Sequence, residues 1–118
     1  MAIISSQSIT ESGIDSPTRT VATLEGDTWE NSGSEFIEIQ NNGEASVVVT
    51  FTPEVVAFTS PQYGLSQKAA RTLTVAAGIS SVIGPFSVAA YNNDTGYASI
   101  TYSSITDITV AIFTVDSN

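Results

Sequence analysis

The chain has 118 residues with neither cysteine nor histidine, and three basic residues stand against twelve acidic ones for a net charge of −9. That length fits a single domain whose core needs no covalent staple, and the missing residue types remove disulfides, thiolate metal sites, the usual general base and the physiological-pH switch. The only cations, Arg19, Lys68 and Arg71, are too few to neutralise a run of phosphates or to hold an anionic membrane surface, so direct nucleic-acid and membrane partners are not expected.

The acids are scattered from Glu11 to Asp116 rather than blocked, as in a solubilising shell. Residues 1–17 are Ser-rich with isolated Ile3, Ile4, Ile9 and Ile14. They read as an extended N-terminal arm with apolar anchors, ahead of a β domain over residues 18–118. Two readings of the arm stand: a disordered tail, or a segment whose isoleucines dock on a neighbour and order in an assembly. The first ten residues have no basic start and no long apolar run, so they do not read as a signal peptide. TRTVATL (18–24) is a first strand ended by Glu25-Gly26-Asp27. Trp29 follows in polar surroundings, as a core or rim plug rather than a binding platform.

Residues 35–53 carry the clearest local signal: EFIEIQ, NNGEA, then SVVVTFTP. Ile37 and Ile39 share one face of the first run, and Val47, Val49 and Phe51 one face of the second. This period of two belongs to half-buried strands. Asn42-Gly43 between them is the dipeptide of a type I′ turn, which predicts a β-hairpin.

EVVAFT (54–59) is a short strand cut off at Ser60-Pro61. QYGLSQKAA (62–70) holds the only helix formers, enough for a turn or two, with a loop as the alternative. RTLTVA (71–76) alternates with Leu73 and Val75 inward, Ala77-Gly78 turns, and residues 81–83 form another strand. Pro85 marks a strand end or edge, because proline donates nothing to a ladder. No charge occurs in residues 72–93, a length that could span a bilayer. Gly78, Ser80, Ser81, Gly84, Pro85 and Ser87 break it into short pieces that fit two buried strands around a turn better. After Val88–Tyr91 comes a dense turn signal, Asn92-Asn93-Asp94-Thr95-Gly96. Ala98, Ile100 and Tyr102 then alternate with polar residues, as do Ile108, Val110 and Ile112 with Thr109, Ala111 and Phe113. Strands at about ten-residue spacing predict an all-β fold, a single-domain antiparallel β-sandwich or a jelly-roll-like barrel of short strands.

Nothing in the chain reads as a catalytic set. Glu35 and Glu38, three apart on a strand, point to opposite faces. Asp94 has no EF-type spacing around it, and an Asx turn accounts for it. No Gly-x-Ser-x-Gly elbow occurs, and Ser66 precedes Lys68 by two rather than three. No enzyme activity, metal or cofactor is expected.

Three ordered blocks carry a family resemblance. The first holds Gly26-Asp27-Thr28, Asn31, Gly33, Glu35, Phe36 and the Asn42-Gly43 turn. The second holds Arg71, Val75, Ala77-Gly78 and Ile83-Gly84-Pro85-Phe86, and the third Tyr91-Asn92, Gly96, Ile100-Thr101-Tyr102-Ser103, Thr106 and Thr109-Val110-Ala111. Over residues 26 to 115 the chain resembles the small head decoration, or cement, proteins of tailed bacteriophages. The resemblance implies a small β-sandwich or jelly-roll subunit, made in the host cytoplasm and carried on the outer capsid surface of the virion. Its implied partners are the major capsid protein and its own copies in a homotrimer, with no catalytic residues to carry over. Within that expectation the arm, through Ile3, Ile4, Ile9 and Ile14, is the candidate contact with a capsid or sister subunit. Two alternatives from other classes remain: a tail, fibre or host-adhesion module of a virion, and a small carbohydrate-binding or adhesin-like β domain.

Overall fold

The computed structural model describes residues 2–10, 13, 17–53, 57–60, 64–67 and 70–115. Its strands are β1 (Ala2–Ile4), β2 (Ser6–Ile9), β3 (Thr20–Val21), β4 (Asp27–Glu30), β5 (Phe36–Asn41), β6 (Val47–Phe51), β7 (Ala57–Ser60), β8 (Gly64–Gln67), β9 (Arg71–Val75), β10 (Ser80–Ile83), β11 (Tyr97–Tyr102) and β12 (Ile108–Val115). One helical turn, α1 (Val88–Tyr91), precedes β11.

One sheet has the order β1-β4-β11-β6-β9. The other runs β10-β5-β12, with β3 and β2 sharing the far side of β12. Setting aside β1, β2 and the β7–β8 ribbon leaves eight strands, in the orders β4-β11-β6-β9 and β3-β12-β5-β10. Every neighbouring pair among them is antiparallel. That interleaved order is the eight-stranded jelly roll. The all-β expectation holds, and of its two forms the jelly roll is the one adopted.

The alternation read from the sequence selects the inward faces. Ile37, Ile39, Val47, Val49, Phe51, Val75, Ala98, Ile100, Ile108, Val110 and Ile112 all lie in one core. Trp29 joins them as the centre of an aromatic cluster. It meets Phe51 and Phe86 edge-on at 6.0 and 5.9 Å, Phe51 stacks on Phe86 at 4.5 Å, and Tyr91 closes on Phe86 at 5.0 Å. Each large side chain so buried contributes roughly 1.5–3 kcal/mol, with edge-on ring geometry adding to it.

Four expectations are corrected. First, β5 and β6 do not form a hairpin: they lie in different sheets, and residues 42–46 cross between them. Neither Asn42 nor Gly43 has positive φ, so no type I′ turn exists. An arch and a hairpin share the same period of two, and pairing partners alone distinguish them. Second, residues 2–9 of the expected arm do not stand off the domain. β1 adds parallel to β4 and β2 adds parallel to β12, with only Ser5 between them, so the segment joins both sheets and makes each of them mixed. Third, residues 64–67 are strand β8 in a two-stranded ribbon with β7, rather than a helical turn or a loop. Fourth, β12 is buried on both faces: Ala111 and Phe113 are buried as well as Ile108, Val110 and Ile112. Glu38, opposite Ala111 in register, takes Arg19 Nε at 2.9 Å across that outer face.

Candidate functional surface

Three crossover loops stack at one end of the sandwich: 76–79, 42–46 and 103–107. Asn41 holds the stack together. Its backbone N–H donates to Ile79 C=O and its C=O accepts from Gly78 N–H, while Asn42 N–H donates to Asp107 C=O. Its buried side chain donates Nδ2 to Ala45 C=O (2.8 Å) and Val75 C=O (3.0 Å), and accepts from Gly43 N–H (3.0 Å). Gly43 is closely packed rather than held at positive φ: a Cβ there would lie 3.3 Å from both Asn41 Oδ1 and Thr106 C=O. Between the second and third loops lies a half-open cavity of about 450 Å³ whose polar groups come from Asn42, Glu44, Ser46, Ser104, Thr106 and Asp107. These hydroxyls and carboxylates can accept and donate hydrogen bonds to a polar ligand.

The other end is locked by buried polar groups. Asn31 Nδ2 donates to Phe86 C=O (3.1 Å) and Asn92 Oδ1 (2.7 Å), and Asn92 Nδ2 returns to Asn31 C=O (2.8 Å). Glu35 is buried and accepts from Ser32 N–H (2.7 Å) and Ser32 Oγ (2.5 Å), so its carboxylate is spent on loop 31–35. Glu38 lies on the outer face of the sheet, well apart from it in role. In the 92–96 turn it is Asn93, not Asp94, that forms the Asx interaction, accepting from Thr95 N–H and Tyr97 N–H.

A third polar centre ties the N-terminus down. Asp27 is fully buried and accepts from Ala2 N–H (3.1 Å), Thr23 N–H (3.2 Å) and Tyr102 Oη–H (2.7 Å). Burial, and then the bond to Asp27, pushes the Tyr102 phenol well above its ordinary value. In the sequence Asp27 reads as a turn residue after Glu25-Gly26. Its separation from Tyr102 in the chain hides the pairing, because only the β4–β11 register brings them together.

The expected partner-contact residues separate. Ile3 is 67% exposed and Ile9 half-buried, so both remain at the surface. Ile4 is corrected: it is 5% exposed, opposite Trp29 in register, and belongs to this chain's own core. Ile14 lies outside the described residues. Trp29, too, is core, and its Nε1 finds no hydrogen-bond partner among the described residues. Among those residues no group of three or more His, Cys, Asp or Glu could hold a metal ion. No helix is long and apolar enough to cross a membrane.

Fold and surface together define the chain as a small acidic jelly-roll protein with polar, hydrogen-bonded loop ends. Comparison with family models, curated proteins and solved structures returns no match.

Proposed function

We propose that the chain is a virion structural protein that decorates the outer surface of a tailed-phage capsid, bridging major capsid subunits in company with its own copies as a homotrimer. The observation that carries this reading is the order of the three motif blocks over residues 26–115. The jelly roll supports it, being an architecture that virus coat proteins use, although a fold does not by itself imply a function. The charge supports an outer position, since a subunit of net charge −9 is repelled by packaged DNA. Binding to the assembled shell stabilises it by mass action, and many copies add avidity.

Heads assembled without the protein are expected to burst at lower temperature than complete heads, with purified protein restoring the difference. Equal robustness would overturn the stabilising role, and electron microscopy placing the protein on a tail or fibre would favour that alternative instead. One observation favours a second reading. The polar cavity beside residues 42–46 falls within the size range of small-ligand sites, and lectins also use jelly rolls. Glycan-array binding lost on Asp107→Ala, without association with capsids, would select the carbohydrate-binding reading.

A further inference from the structure

Among the described residues β10 pairs on one side only, with β5. Opposed residues in an antiparallel ladder alternate between bonded and non-bonded pairs. The bond from Asn41 N–H to Ile79 C=O (3.0 Å) sets the phase. Ser81 and Ile83 therefore address β5, and the N–H and C=O groups of Ser80 and Val82 point away from the sheet. Exposed apolar side chains line the same edge, Ile79 at 49% and Val82 at 62%. Charge ordinarily protects such an edge from pairing with another strand, yet residues 72–93 carry none. The nearest acid in register, Glu38, is already held by Arg19. Between copies of net charge −9, this edge adds no charge of its own to oppose approach.

We propose that β10 is a self-association edge, pairing antiparallel with β10 of a second copy about a two-fold axis through Ser81. In that register Ser80 exchanges both backbone bonds with Val82 of the second copy, and Val82 with its Ser80. Ile79 of each copy then lies opposite Ile83 of the other, an apolar cross-strand pair that uses the exposed isoleucine. The two sheets become one continuous sheet, as in strand addition at other open edges. So small an interface is weak and concentration-dependent, and it strengthens with salt as the net charge is screened. It goes beyond the capsid reading and stands or falls independently of it.

The chain has no cysteine, so one introduced thiol reports alone. Ser81→Cys sets two thiols across a non-bonded pair, whose Cα atoms lie about 4.5 Å apart, within disulfide reach. Under oxidation the full chain should give a covalent dimer on a non-reducing gel. It should form many-fold faster than from Ser80→Cys, and faster still with added protein or salt. Val82→Pro, which removes an outward N–H and no bond to β5, should return the Ser81→Cys rate to that of Ser80→Cys. Val82→Lys should do the same by charge, each with an unchanged circular-dichroism spectrum. Equal rates for Ser81→Cys and Ser80→Cys would overturn the proposal. So would dimerisation indifferent to both Val82 variants.

Discussion

Replacing Asn41 by alanine tests whether the stacked crossover loops, rather than a hairpin turn, hold the centre of the chain together. The side chain makes three hydrogen bonds, two from Nδ2 to carbonyls and one accepted at Oδ1. Alanine removes one of the bonds accepted by the buried carbonyl of Val75, which also pairs with Val47 in the β6–β9 ladder, and weakens loop 42–46 at Ala45 and Gly43. At roughly 0.5–1.5 kcal/mol for each of the three bonds lost, the sum is about 3 kcal/mol. For a domain of this size that corresponds to a fall of about 12 °C in the thermal midpoint. Urea unfolding read by Trp29 fluorescence measures it, since this single tryptophan is buried in the native core. The adjacent Asn42 is the internal control, its side-chain amide donating to Gln40 Oε1 at 3.4 Å on the exposed side. Asn42→Ala should stay within about 0.5 kcal/mol of the parent. Asn41→Asp should be worse than Asn41→Ala at neutral pH, because it turns a donor toward two carbonyls into a buried negative charge. Equal stabilities for Asn41→Ala and Asn42→Ala would refute the reasoning.

Three further outcomes are expected. Gly26→Ala would place a Cβ 2.7 Å from Ile100 C=O at φ +97°, whereas Gly96→Ala, at φ +90°, meets nothing within 4 Å. Backbone strain of about 1–3 kcal/mol applies to both and displacement to the first alone, so differential scanning calorimetry should rank Gly26→Ala lower. The raised phenol of Tyr102 keeps its proton in the folded state, while an unfolded tyrosine releases it near about pH 10. The unfolded chain thus binds fewer protons above that point, and stability should fall by up to about 1.4 kcal/mol per pH unit as pH rises further. Tyr102→Phe should cost about 1–2 kcal/mol at neutral pH and flatten that alkaline fall in urea titrations; an unchanged slope would count against it. Ile4→Ala should cost about 2–4 kcal/mol as a core truncation, with Ile3→Ala within about 0.5 kcal/mol. Equal small effects at both positions would mean that β1 does not complete the core.

Much of the core was legible because burial follows local pattern. Ile37 and Ile39, Val47, Val49 and Phe51, Ala98 and Ile100, and Ile108, Val110 and Ile112 alternate with their neighbours as half-buried strands must, and all face inward. Turn residues delimited the strands, and composition already set aside histidine and thiol chemistry. Less could be read of the polar centres that shape the candidate surface. Asn31 and Asn92, or Asp27 and Tyr102, are far apart in the chain, and each resembles an ordinary turn or strand residue until its partner arrives.

By itself the sequence determined an acidic all-β domain and which side of each strand would be buried, since a period of two depends only on neighbours along the chain. Tertiary structure decided what each strand pairs with. It turned the Asn42-Gly43 segment into a crossing between sheets, inserted β1 and β2 beside β4 and β12, and covered Ala111 and Phe113 on the face that alternation left outside. It also left β10 as an uncharged edge. The physical reason is common to all of these. Inward-facing side chains look the same in a hairpin and in an arch, whereas hydrogen-bond partners are chosen by residues distant in sequence, where local pattern carries no information.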